Sequence, residues 1–266
     1  MSLRGWASAN TVQRTRQSPR APNANEPVLW VAGVDGCRAG WFVILAGVSV
    51  SSGQPLRVAA RRCASFRDVL ALPERPVALA VDMPIGLLDR PLPGGRACDR
   101  EARKLLGRPR ASSVFTPPTR PGLAALAYSD VSRVNGAGMS KEAFNILPKI
   151  RDVDQAIGAS DQTRVFEAHP ELAFTGLAGA RMRYNKKTAE GRRERVRLLR
   201  RIFGRAFQDP LRLRLEHGAA NVALDDVVDA YVLAYVADRI RRGSALRLPA
   251  AEQQRDRRGL RMEIWY

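Results

Sequence analysis

Apolar and polar positions follow two rhythms along this chain. In the first third, short apolar runs rich in valine and alanine occupy residues 28–35, 41–48, 56–62 and 77–81. Polar turns at 36–40 and 51–53 separate the first three runs, which predicts an antiparallel meander followed by a further strand. Ser65 is placed to cap a short helix over 66–72 that leads into the fourth run. Both the first and the fourth run close on an acid, Asp35 and Asp82. Met83-Pro84-Ile85-Gly86 then breaks the pattern and opens an insertion at about 87–162. Within it, 98–106 and 141–157 read as helices, the second interrupted at Pro148, with an ordered loop at 112–118. A fifth strand at 163–168 ends in His169-Pro170-Glu171. Beyond it the rhythm lengthens to helical spacing over about 187–203 and 222–241. The latter carries an apolar face at Val228, Tyr231, Val232, Tyr235 and Val236. Residues 259–266 alternate like a closing strand. The pattern predicts an α/β chain: a mixed five-stranded sheet flanked by helices, with a helical and loop insertion after the fourth strand.

Composition adds limits. Residues 1–27 hold Ser, Asn, Pro and Arg with no acid before Glu26, which predicts a disordered tail ahead of one domain over 28–266. That tail also suits an organelle transit peptide in composition, but it lacks an amphipathic helix. No run approaches the ~20 apolar residues of a membrane helix, so no membrane partner is expected. Three cysteines at irregular spacing, Cys37, Cys63 and Cys98, form neither a disulfide framework nor a zinc motif; a reducing, cytoplasmic setting is expected.

The net charge of +18 favours a nucleic-acid partner, because cations that meet phosphates release counterions. Only five of the 44 cations are lysine, an arginine excess that codon usage in a GC-rich genome also produces. The densest stretch, 181–214, has 13 Arg or Lys against three acids. Its helix also carries Val196, Leu198, Leu199, Ile202 and Phe203, so a solvated arginine face is the ordinary reading.

Metal-dependent phosphodiester hydrolysis needs carboxylates converging on Mg²⁺ or Mn²⁺, with two ions expected ~3.5–4 Å apart. Asp35 and Asp82, at the ends of neighbouring strands, are placed for this. Asp226 and Asp229, three apart, share a helix face, and Asp225 with Asp229 would serve nearly as well. Singly, each acid also reads as a turn or cap residue. Asp229 is the exception, since an acid on an apolar helix flank needs a partner.

These acids sit in a wider set of motifs. Gly33-Val34-Asp35-Gly36-Cys37-Arg38-Ala39-Gly40-Trp41, Val81-Asp82-Met83-Pro84-Ile85-Gly86-Leu87, Arg96-Ala97-Cys98-Asp99, Ser112-Ser113-Val114-Phe115, Phe166-Glu167-Ala168-His169-Pro170-Glu171 and Asp225-Asp226-Val227-Val228-Asp229-Ala230 together resemble domain-of-unknown-function family 429 (DUF429). The resemblance spans about 30–266. That family is described as predicted nucleases of the RNase H-like fold. The resemblance implies that fold, with Asp35 as the first-strand metal ligand, Asp82 as the fourth-strand acid, and Asp226 with Asp229 as the helix acids. Many members of the fold carry Glu at the fourth strand, so Asp82 reaches less far.

Further candidates surround these acids. Glu167 and His169, two apart near a strand end, are read as an additional ligand or catalytic acid and a proton shuttle. The ordinary reading of His169 is a ring nitrogen bonded to backbone. Arg96, Arg103, Arg108, Lys149, Lys186 and Lys187 are candidates for phosphate contact, against the ordinary reading of an Arg96–Asp99 network that pins the insertion. The leading expectation is a metal-dependent nuclease that uses Asp35, Asp82 and Asp229, assisted by Asp226. The alternatives are a nucleic-acid-binding or scaffold protein of the same fold, and a nucleotide-dependent phosphotransferase. Oligomeric state is left open.

Overall fold

The computed structural model describes residues 27–251 and 253–266. The tail expected over 1–27 therefore falls almost wholly outside the described residues. β1 (Val28–Cys37), β2 (Gly40–Ser49) and β3 (Pro55–Cys63) form the antiparallel meander. β4 (Ala78–Val81) pairs parallel to β1, and β5 (Val165–Glu167) pairs parallel to β4. The resulting order β3-β2-β1-β4-β5, with only β2 reversed against its neighbours, is that of an RNase H-like sheet.

Helices cover both faces. α1 (Phe66–Leu70) is capped by Ser65, whose side chain accepts from the Asp68 amide. The insertion contributes α2 (Ala97–Leu106), α3 (Val131–Asn135), α4 (Lys141–Asn145) and α5 (Leu147–Ala156). The break expected at Pro148 falls at Ile146 instead, because a proline fits the first turn of α5, where its missing N–H leaves no bond unmade. α6 (Pro170–Ala178), α7 (Ala189–Phe203), α8 (Pro210–Glu216) and α9 (Leu224–Arg241) follow. The expected C-terminal strand shortens to β7 (Ile264–Trp265), paired with β6 (Arg247–Leu248).

Two cores result, one on each side of the sheet. Val31, Phe42, Ile44 and Ala80 face α9, whereas Ala32, Val34, Trp41, Val43 and Val81 face α1 and α5. β2 is buried along its whole length, as a strand covered on both faces must be. The apolar stripe read for α9 is too narrow: Val227, Ala230, Leu233, Ala234 and Ala237 are buried as well. α6, α7 and α8 cover the side of α9 that faces away from the sheet, so the helix is enclosed on nearly every side. Gly33 sets how closely α9 lies on β1. A Cβ there would sit 2.0 Å from the Ala230 carbonyl oxygen and 2.1 Å from the Ala234 amide nitrogen, so a side chain would lift the helix off the sheet.

Arg120 and Arg258 tie the insertion to the C-terminal segment through Asp154, each at 2.9 Å, and Arg120 also reaches Asp256. All three cysteines are free and buried. Among the described residues no helix is long and apolar enough to cross a membrane.

Candidate active site

The sheet itself brings the first two acids together. Side chains alternate across a strand, so Asp35 lies on the same side of β1 as Val31 and Gly33, the side covered by α9. Asp82 follows Val81 and shares the side of Ala80. Val34 pairs with Val81, and the Asp82 amide donates to the Val34 carbonyl at 3.0 Å. The two acids therefore stand side by side at the carboxyl ends of parallel strands, about 4.8 Å apart in backbone spacing. α9 supplies Asp229, buried at 3% exposure, from the turn whose Ala230 packs on Gly33.

Asp226 has a second task. Its Oδ2 accepts the Ala223 amide at 2.8 Å and so caps its own helix, leaving the carboxylate half-buried at the cluster's edge. Asp35 Oδ1 accepts the Gly36 amide at 2.8 Å.

These carboxyls repel one another in a shielded place. Burial, then Asp82, Asp229 and Asp226, push Asp35 well above the usual carboxylate range. Asp82 is raised by burial, with His169 and Lys186 pulling the other way. Asp229 is raised by burial to about 6 despite Lys186, with Asp82 and Glu171 adding to the rise. Lys186 offsets part of the charge: its Nζ donates to Asp229 Oδ2 at 2.9 Å. Burial alone would lower the Lys186 ammonium, but Asp229, Asp82 and Asp35 override it and hold the charge on.

The cluster opens into a cleft of about 420 Å³ whose wall includes Asp35, Asp82, Lys149, His169, Glu171 and Lys186. Lys149, on α5, lies with its Nζ 4.9 Å from the Trp41 ring centroid and donates to the Gly40 carbonyl. His169 Nε2 meets the Ser113 carbonyl at 3.1 Å, the ordinary backbone contact, while Nδ1 is buried with no hydrogen-bond partner. A larger cavity of about 910 Å³ inside the insertion shares Ser113, Phe115 and Glu142 with the cleft.

Three expected site residues lie elsewhere in role. Glu167 does not join the acid cluster: it accepts the Ile85 amide at 2.7 Å and two bonds from Arg96 at 2.6 and 2.7 Å. Burial lifts it to about 7, with Arg96 opposing. Arg96, 2% exposed, also pairs with Asp99 at 2.7 Å and donates to the Ile85 and Gly86 carbonyls, so it cannot meet a phosphate. Arg103 is committed to the Val114 and Gly94 carbonyls. Of the remaining phosphate candidates, Arg108 and Lys187 are exposed, and Lys149 and Lys186 stand in the cleft.

Glu171 and Arg195 form a buried pair at 2.6 Å beside the cleft that sequence reading undervalued. Arg195 occupies the buried face of α7 in the series Gly191, Arg195, Leu199, Phe203. A single cation within a stripe of otherwise uncharged residues at a spacing of four was the available signal.

As they stand, no three or more His, Cys, Asp or Glu side chains among the described residues are arranged to hold a metal ion. The chemistry of the donor set nevertheless fits a cation: hard oxygen ligands with excess negative charge, and an ammonium already standing between them.

The family model described as "Protein of unknown function (DUF429)" matches residues 33–254. The chain belongs to this family. For this DUF429 chain, a search of curated proteins gave no match. Among solved structures it is similar to Thermus thermophilus RuvC, at 15% identity and a TM-score of 0.32 over 81% of this chain and 98% of that one. It is also similar to T. thermophilus RuvC in complex with a Holliday junction substrate, at 13% identity and a TM-score of 0.31 over 81% and 97%.

Proposed function

We propose that this DUF429 protein is a divalent-metal-dependent phosphodiesterase that acts on nucleic acid. The observation that carries this reading is the meeting of half-buried Asp35 and Asp82 at neighbouring strand ends with buried Asp229 on α9, three acids against the one ammonium of Lys186. Asp35 and Asp82 at the strand ends would hold the cation, with Asp229 of α9 beside them and paired to Lys186. A bound divalent ion supplies Lewis-acid activation of water and of a phosphoryl oxygen.

The chain's own groups do the rest. The close α9–Gly33 contact sets the turn of α9 that carries Asp229 against the strand ends. Lys149 presents an ammonium from the opposite wall, where a substrate phosphate would meet it. The insertion supplies one wall of the cleft through Ser113, Phe115, Glu142 and Lys149. In the reaction a water oxygen bonds to phosphorus, the phosphorus–oxygen bond to one strand breaks, and the leaving oxygen takes up a proton.

One observation favours a second reading, a nucleic-acid-binding protein without chemistry. The Lys186–Asp229 pair already satisfies one of the acids with no metal. A cleavage screen separates the two, with wild type and Asp82→Asn protein on labelled DNA, RNA, hybrid and branched substrates in Mg²⁺, Mn²⁺ or EDTA. The nuclease reading expects metal-dependent cleavage that Asp82→Asn abolishes. Tight, salt-dependent binding with no cleavage of any substrate would overturn it in favour of the binding protein.

A further inference from the structure

Lys186 is placed with some care. It lies on the connection between α6 and α7, where the Asn185 carbonyl accepts the Thr188 amide at 3.0 Å and the Thr188 hydroxyl at 2.9 Å. Asn185 Oδ1 accepts the Lys187 amide at 3.0 Å. The turn presses on α7 at Gly191, where a Cβ would sit 1.9 Å from the Asn185 carbonyl oxygen. Upstream, Glu194 accepts the Arg183 and Tyr184 amides at 3.0 and 3.2 Å. A lysine on a loose loop needs none of this. The backbone is shaped so that the Lys186 ammonium arrives at Asp229.

A second observation stands close to Asp229. Glu171 is 4% exposed and its Oε1 is held by Arg195, but its Oε2 is buried with no hydrogen-bond partner. An unpaired buried carboxylate oxygen is costly, and this one borders the cleft shared by Asp35, Asp82 and Lys186. A cation in the cleft would satisfy it.

We propose that the cleft is built for a single divalent cation: Lys186 permanently takes the place of a second ion beside Asp229, and Glu171, through Oε2, is an additional ligand of the one that binds. This rests on the metal-dependent reading of the site, but it concerns ion count and ligands rather than cleavage. The fixed ammonium neutralises Asp229 and the side of the cleft nearest α9. The divalent ion then belongs to the strand-end acids and Glu171.

The test is calorimetric titration of the full chain with Mn²⁺ alone, without nucleic acid. Wild type is expected to bind one Mn²⁺ per chain. Lys186→Met is expected to bind two, because Asp229 is released, whereas Lys186→Arg should still bind one. Glu171→Gln should weaken the wild-type site at least tenfold. Two ions in wild type, no ion in wild type, or one ion in folded Lys186→Met would each overturn the proposal, as would unchanged affinity in Glu171→Gln. Should Glu171→Gln fail to fold because Arg195 loses its charged partner, the Lys186 variants, which leave that pair intact, decide the matter. One Mn²⁺ in wild type with no cleavage of any nucleic acid would uphold this inference while removing the nuclease reading, so the two fail separately.

Discussion

Two places in this protein bury several carboxylates around one side-chain cation, and they are built to opposite ends. Around Arg96, the guanidinium makes paired contacts to Asp99 and Glu167 and spends its remaining N–H groups on the Ile85 and Gly86 carbonyls. The Ile85 amide completes Glu167. Every charged atom has a partner, and the group fastens the start of α2 to β5. Around Lys186, one ammonium faces Asp229, Asp82 and Asp35, with Glu171 close by and only partly satisfied. The first group is complete and belongs to stability; the second is left short of positive charge and belongs to binding. What separates them is the balance of donors against acceptors, not the number of acids.

The largest effect should come from breaking the complete group. Arg96→Met leaves Asp99 and Glu167 buried without a counter-charge, a loss of about 3–5 kcal/mol of stability of the kind seen when one partner of a buried pair is removed. Urea unfolding monitored by circular dichroism would measure it. Asp35→Asn should behave in the opposite way. Removing a repelled charge from the second group leaves stability unchanged or raises it by about 1 kcal/mol, while Asn keeps an oxygen for the Gly36 amide. Its cleavage should fall ~100-fold or more, as for other groups lost from a preorganised charged site. An Asp35→Asn protein as destabilised as Arg96→Met would erase the contrast.

The same contrast explains what could be read in advance. Asp35 and Asp82 were legible because a β run ending in an acid fixes both the strand and the side chain's face, and parallel pairing of neighbouring strands then brings the ends together. Asp229 was legible because an acid amid Val227, Val228, Ala230 and Tyr231 has no local partner. Glu167 misled for the same reason in reverse. Its strand-end position resembles that of Asp82, but its partner Arg96 lies 71 residues earlier, in an insertion whose path no periodicity specifies. Lys186 was assigned to phosphate and stands instead among the acids, since its place depends on a turn that only the contact with Gly191 shapes. Short elements such as α6 and α8 were missed because each is held by packing on α9 more than by its own pattern.

A pH series sharpens the comparison at intermediate size. Asp229 and Glu167 titrate in the folded protein near 6 and 7, above their ordinary values, and Asp35 and Asp82 are raised too. Acids raised on folding contribute stability that is fully present below their unfolded values near 4. That contribution is lost as pH rises through the folded values. The metal-free protein should therefore lose stability between about pH 4 and 7. Asp68 and Glu142 have the opposite sign, being lowered by backbone and Ser65 hydrogen bonds in one case and by backbone and Ser140 bonds in the other. Their effect is confined to more acidic solution, where stability is lost as pH falls. Denaturation midpoints at pH 5 and 8 should differ least in the presence of Mn²⁺, which supplies the missing charge to the Lys186 group. Asp229→Asn should remove part of the metal-free slope, and a slope unaltered by either change would place the titration elsewhere.

The smallest effects should come from the exposed cations that belong to neither group. Lys187 adjoins Lys186 in sequence but is not a partner in the Lys186–Asp229 pair, and Arg108 lies on the insertion's surface; both are exposed. Neutralising either should change stability by less than about 0.5 kcal/mol, because a solvated charge away from special features contributes little. If the basic surface tracks a nucleic-acid backbone, each of Lys187→Gln and Arg108→Gln should lower the slope of log affinity against log salt by about 1 and weaken binding alike for all sequences. Lys149→Gln, inside the cleft, provides the internal standard. It should cost more affinity than either surface change, because an ammonium partly shielded from water meets a phosphate with less screening. Equal losses at all three positions would mean that the net charge of +18 acts as a diffuse cloud, and that the cleft holds no privileged place for phosphate.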